Sequence, residues 1–225
     1  AACAPKLPPL LAGKRIAIAR DAAFGFIYPA NLDTLQALGA ELAFFSPLGG
    51  DALPENSDAV WLPGGYPELH GDKLAANVAL WSGLRTHVAA GKPVLVECGG
   101  LMSLLDSIVD KAGVVHAGAG LLPGRALMQQ RLAALGMQHV DLAQGRLSGH
   151  SFHYSRMETA LVPGLRGQRR DGGEGGAVYR VGSITASYVH FWFPSNPAAV
   201  AALFGAAAEM PCGKMEGSRT FNPSL

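Results

Sequence analysis

Four short apolar runs, spaced along the first hundred residues, constrain this chain more than any other feature. They are RIAIAR at 15–20, ELAFF at 41–45, DAVWL at 58–62 and PVLVE at 93–97. Residues 32–42 and 74–90 carry apolar positions at helical spacing, with Gly39 and Gly91 at or near their ends. A further helix is expected over 101–108. Strands that alternate with helices in this rhythm predict an α/β fold: a central, mostly parallel sheet with helices on both faces. The second half breaks the rhythm. Residues 145–157 and 177–193 read as antiparallel strand pairs separated by a polar loop at 163–176, and 197–204 as a closing helix. The expected organisation is a Pro/Ala-rich linker or tail at 1–13, one domain over 14–205, and a C-terminal tail at 206–225.

Composition narrows the function classes. Hydrophobic residues make up 49% of the 225 and charged residues 16%, which suits a packed core rather than a disordered chain. The net charge is +1, without the clustered basic excess of a nucleic-acid surface. Arg166, Arg169 and Arg170 read as a solvated loop. Cys3, Cys98 and Cys212 are odd in number and widely spaced, which argues against a disulfide framework or a metal cluster and fits a reducing cytoplasm. No apolar run reaches the ~18 residues of a membrane span, and the start lacks the order of a signal peptide. The chain does not open on Met, so a piece of a longer polypeptide is expected.

In open α/β sheets functional residues gather at the carboxyl ends of the strands. Three stretches lie there: 63–68, 97–100 and His190. In PVLVECGGL, Cys98 stands where a buried strand turns into a helix, with Gly99 and Gly100 as the small neighbours that a sharp turn demands. A helix N-terminus at this point is expected to lower the thiol pKa, and the Gly99 N–H to face an oxyanion. The turn WLPGGYPE follows the preceding strand. Gly64 and Gly65 let backbone N–H groups approach a ligand, with Tyr66 beside them. A thiol hydrolase needs a base, and His190, closing the run ITASYV, is the candidate. His150 and His153, in GHSFHYS, have no third ligand for zinc; substrate-lining or structural roles are expected. His70, His87, His116 and His139 are expected on the surface or in loops.

These motifs carry a resemblance over residues 15–204. The stretches IAIARDAAFGFIYPANL, LPGGYPEL, ECGGLM, GHSFHYS and SYVHFWFPSNP are similar to the C-terminal class I glutamine amidotransferase domain of the cobyrinic acid a,c-diamide synthase family. The resemblance implies a flavodoxin-like fold and glutamine hydrolysis through a thioester on Cys98. It implies His190 as base and Gly65 and Gly99 as the oxyanion hole. Gly64, Tyr66, Arg131, His153 and Tyr154 would bind substrate, Arg131 through the glutamine carboxylate; a surface arginine on a helix is the alternative for that residue. No cofactor or metal is implied for this domain. ATP and Mg²⁺ belong to an N-terminal synthetase domain, the implied partner, which amidates carboxylates a and c of cobyrinic or hydrogenobyrinic acid. A homo-oligomer is compatible with the family.

Two departures stand out. The sequence contains no G-x-x-x-x-G-K-[ST] loop, so it lacks the synthetase part. Trp192 occupies the position where related glutaminases place Glu or a second His, and Trp cannot orient an imidazole as a carboxylate does. Slow free-standing glutaminase activity is the expectation. The competing readings are another cysteine hydrolase on a similar fold and a non-catalytic module docked on a synthetase.

Overall fold

The four apolar runs form β1 (Arg15–Ala19), β2 (Glu41–Phe45), β3 (Ala59–Leu62) and β4 (Val94–Glu97) of a computed structural model that describes residues 8–205. Every residue of β3 and β4 is buried, as central parallel strands require. Between them lie α1 (Pro29–Ala37), α2 (Gly71–Ala76) and α3 (Val78–Ala89). The single helix predicted over 74–90 is two helices. Asn77 divides them: its carbonyl oxygen caps Leu80 N at 3.1 Å, and its amide donates to the carbonyls of Pro47 and Asp51.

The helix predicted over 101–108 is shorter. α4 (Gly99–Leu104) stops at Leu105, which is extended, and β5 (Ser107–Val109) takes over. Asp106 marks the change: its carboxylate accepts from Gly124 N and its own N–H donates to Gly124 O. Then come β6 (Val115–Ala117), β7 (Arg125–Met128), β8 (Ala134–Leu142), β9 (Gly145–His153) and β10 (Ser155–Glu158). The last group is β11 (Leu165–Arg169), β12 (Glu174–Val181), β13 (Ile184–Ser187), β14 (His190–Phe191) and α5 (Pro197–Phe204). The loop expected at 163–176 is therefore a hairpin of β11 and β12. Its polar, Gly-rich residues pair across strands, as in the Arg166–Glu174 ion pair at 2.7 Å. Arg169 is tied to Asp171 at 2.8 Å, so the arginine cluster is exposed but largely strand-borne.

The main sheet has the order β14-β9-β8-β11-β12-β13-β4-β3-β1-β2. The pairs from β2 to β13 are parallel and those from β13 to β14 antiparallel. Four of the nine strand pairs are parallel, and the antiparallel ones lie in the C-terminal half, as the sequence suggests. β10, β7, β5 and β6 form a second, four-stranded sheet. Helices cover both faces. Leu74, Leu80, Trp81, Leu84 and Leu101 pack on one face, and Leu35, Leu38, Ala199, Val200 and Phe204 on the other. Leu11 joins the second core, fully buried, and its N–H donates to Leu38 O at 2.8 Å, while the other described residues before Lys14 are exposed. Cys3 and Cys212 lie outside the described residues. Among those described, no helix is long and apolar enough to cross a membrane, and no three His, Cys, Asp or Glu side chains group as metal ligands.

Candidate active site

Cys98 follows β4 directly and adopts φ +45°, ψ −104°. Only one other described non-glycine residue, Asn56, has positive φ. Such a backbone costs ~1–3 kcal/mol and persists only where its surroundings hold it. Here the Cys98 N–H donates to Ser187 O at 2.8 Å, and the Cys98 carbonyl accepts from Met102 N, the first bond of α4. The result is the expected strand–turn–helix elbow.

The two glycine turns are pressed together. A Cβ on Gly99 would lie 2.9 Å from Gly65 N, and one on Gly65 would lie 2.1 Å from Ala23 O. One on Gly64 would lie 2.2 Å from the His190 ring. Glycine is therefore a steric necessity at all three positions. Gly64 forms the floor beneath the imidazole. Among the described residues, the Gly65 N–H has no protein acceptor, and the Gly99 N–H faces the Cys98 sulfur. Both are placed as oxyanion donors would be.

His190 reaches the same edge from the neighbouring strand. β13 pairs in parallel with β4, Ser187 opposite Glu97, so Cys98 lies level with Tyr188 and His190 two residues further on. The strand itself stops at Ser187. His190 opens the two-residue β14, paired with His150 of β9, rather than closing the apolar run as the sequence suggests. The His190 ring is 4% exposed, stacks on His150 at 5.1 Å and meets the edge of Phe26 at 5.5 Å. No described carboxylate bonds to it. Trp192 instead packs edge-on against Tyr28, whose hydroxyl lies 3.0 Å from His150 Nδ1.

The electrostatics differ from the sequence expectation at the sulfur. Burial pushes the Cys98 thiol up to about 12, and the nearby Glu68 and Glu97 carboxylates add to the rise; the bond from Gly99 N–H opposes it. Burial also pushes His190 down to about 3, with His150 and His153 adding to the fall. The resting pair is a neutral thiol and a neutral imidazole.

Residues 15–198 match the CobB/CobQ-like glutamine amidotransferase domain. The chain belongs to that family. It is 56% identical to the hydrogenobyrinate a,c-diamide synthase of Stutzerimonas stutzeri, over 88% of this chain and 46% of the relative. It is 48% identical to the cobyrinate a,c-diamide synthase of Herminiimonas arsenicoxydans, over 87% of this chain and 45% of the relative. The amidotransferase domain thus spans about half the length of these curated relatives. A solved glutamine amidotransferase from Methylobacillus flagellatus shares the fold, with a TM-score of 0.52 over 80% of this chain and 70% of its own, at 16% identity.

The amidotransferase cleft at Cys98 is walled by Gly65, Tyr66, Phe26, Met102 and the 152–155 segment. His153 lies in it. Its Nδ1–H donates to Ser155 O at 2.8 Å, which leaves Nε2 an acceptor, and its ring stacks on Tyr188 at 4.1 Å. Tyr66, 47% exposed, stands at the mouth, and Tyr154 lies under the Lys111 ammonium. Arg131 is exposed on the β7–β8 loop, not on a helix, and is not part of the cleft wall. Bonds from Gln129 N to Tyr154 O and from Ala133 N to His153 O hold that loop beside it.

Sequence reasoning missed Glu68. This half-buried carboxyl lines the cleft beside Cys98, and burial raises its pKa. The signal was present: it is the one acidic residue in LPGGYPEL. Three of the remaining histidines also differ from expectation. His139 is half-buried on β8, its Nε2 shielded from solvent. His87 is buried on α3, its Nε2 3.3 Å from Pro93 O, and His116 is held between Asp72 and Asp110.

Proposed function

We propose that this domain hydrolyses glutamine through a thioester on Cys98 and passes the ammonia to a synthetase partner. The observation that carries the reading is the strained Cys98 turn, packed on Gly65 with the neutral His190 ring on Gly64 at the same sheet edge. The thiol is not preformed as thiolate, so attack on the glutamine carboxamide needs concerted proton removal by His190. The oxyanion forms against the N–H groups of Gly65 and Gly99. Collapse expels ammonia, which takes the proton back from the imidazolium. Water then attacks the thioester with His190 again accepting a proton; collapse releases glutamate, and the imidazolium returns the proton to the Cys98 sulfur. The cleft wall of Tyr66, Glu68, His153 and Tyr154 holds the substrate; the Glu68 carboxylate suits an α-ammonium, and Arg131 a carboxylate at the mouth.

The relatives' names support the wider assignment. The ammonia would serve ATP-dependent and Mg²⁺-dependent amidation of the a and c carboxylates of cobyrinic or hydrogenobyrinic acid by the part of the polypeptide that the relatives have in addition. A glutamine-mimicking electrophile tests the chemistry. Stoichiometric mass on Cys98, absent in Cys98→Ser, is the expected result. A chain that stays unlabelled while folded sinks the reading.

A further inference from the structure

Two buried polar side chains take no part in the chemistry above, and they meet at one residue. Glu97, which immediately precedes the nucleophile, is 1% exposed. It shares a sheet face with Leu95, Trp61 and Phe191, opposite the face of Val94 and Val96. One carboxyl oxygen accepts from the Trp61 indole N–H at 3.0 Å, and the other from the Phe191 main-chain N–H at 2.9 Å. Asn31, also 1% exposed, donates to Phe191 O at 2.8 Å and accepts from Phe193 N at 2.9 Å. Both polar groups of the Phe191 main chain therefore end on buried side chains. Phe191 directly follows His190, and β14 is two residues long, so strand pairing gives this segment little hold.

We propose that Glu97 is a positioning residue: with Asn31 it ties the main chain that carries His190 to the turn that carries Cys98. This tether replaces a carboxylate bound to the imidazole, which Trp192 cannot supply. Because Glu97 and Cys98 are consecutive, one carboxyl sets the distance between nucleophile and base. The inference rests on the glutaminase reading. It deepens that reading by explaining how a base without an acidic partner keeps its place.

Glutamine has only one acceptor oxygen on its side chain. In Glu97→Gln either Trp61 or Phe191 would point its N–H at another donor. Asn31→Asp keeps the acceptor for Phe193 N but sets a carboxylate against Phe191 O. In steady-state glutamine hydrolysis by the full chain, each substitution is expected to lower kcat about tenfold or more, with KM within about twofold. Labelling of Cys98 by a glutamine-mimicking electrophile should slow by the same factor, and the thermal midpoint should not explain the loss. The double variant should lose less than the product of the single losses, because both side chains hold one segment. Wild-type kcat in either variant overturns the proposal. So does a loss that only tracks the folded fraction, or one confined to KM. If Glu97→Gln does not fold, Asn31→Asp decides alone by the same readings. A wild-type chain that neither hydrolyses glutamine nor takes the label sinks the glutaminase reading, and this inference with it. An active wild type with unaffected variants sinks this inference only.

Discussion

The main sheet has two halves that meet at β13. In the parallel half, from β2 to β4, every inner strand is apolar and buried, and the Cys98 elbow sits on the innermost. In the antiparallel half, strands alternate buried and exposed positions, and β14 is a two-residue fragment bearing His190. The proposed reaction draws one group from each half. The nucleophile is held by its own turn and by the bond from its N–H to Ser187 O on the adjacent β13; the base is held by side chains drawn from further across the fold. The parallel half should therefore fail through its turn geometry and the antiparallel half through its supports.

The largest expected effect breaks each half at its reactive atom. Cys98→Ser should abolish thioester formation. His190→Asn should lower kcat for glutamine hydrolysis by ~10²–10⁴, the usual worth of a positioned general base. His153→Asn should cost less, and mainly in KM, because His153 is assigned to the cleft wall. The reverse order in steady-state kinetics would transfer the base role to His153. Next in size is Gly64→Ala. Its Cβ would lie 2.2 Å from His190 Cε1, so the imidazole must move while the Cys98 turn stays intact. A loss in kcat of ~10²-fold is expected, with labelling of Cys98 by a small alkylating agent unchanged.

The same contrast explains what could be read in advance. Val94–Glu97 announces itself because a central parallel strand needs an unbroken apolar run, and Cys-Gly-Gly follows because a tight turn needs small residues. β8 and β11 gave no such signal. Gln138, buried on β8, takes its place through bonds to Ser151 Oγ and Gly176 N, pairings that no local pattern encodes. β11 is polar and Gly-containing because it is stabilised by cross-strand ion pairs rather than by burial. Cys98, His190 and the glycine turns were legible from residue type and strand-end position. The pKa directions were not. A helix N-terminus predicts a lowered thiol, but burial depends on the whole packed edge, and burial wins. Glu97 carries no local signal of a role, because its partners lie 36 and 94 residues away.

A smaller effect appears in stability against pH, where the two halves have opposite signs. Glu97 rises from 4.5 to about 8 on folding, chiefly through burial. The folded state then binds the extra proton between those values, so its contribution falls as pH rises through them, at up to about 1.4 kcal/mol per pH unit. His190 falls from 6.5 to about 3. The unfolded state binds the extra proton there, so its contribution is present above 6.5 and is lost as pH drops towards 3. The two oppose each other between 4.5 and 6.5, and only Glu97 acts between 6.5 and 8. Chemical denaturation at pH 6.5 and pH 8 should show wild type losing stability over that interval. Glu97→Gln should lose distinctly less. Equal slopes would mean that the carboxyl is already ionised at pH 6.5.

The smallest effect on hydrolysis belongs to the outer face of the antiparallel half. Leu135 and Met137 alternate outward on β8, 67% and 53% exposed, with Leu135 opposite Phe152 at the cleft wall. The curated relatives are about twice as long as this chain, and the proposed ammonia transfer calls for a contact with a synthetase partner. An exposed apolar strip beside the Cys98 cleft suits that contact better than it suits water. Leu135→Asp and Met137→Asp touch neither core nor catalytic groups, so glutamine hydrolysis by the isolated domain should stay within about twofold. In the full-length polypeptide, glutamine-dependent amidation should fall about tenfold, while amidation supplied with free ammonia persists. If both ammonia sources fail together, the strip serves the synthetase itself. If neither changes, the two halves of the polypeptide meet elsewhere, and the antiparallel half supports His190 without also serving as the docking face.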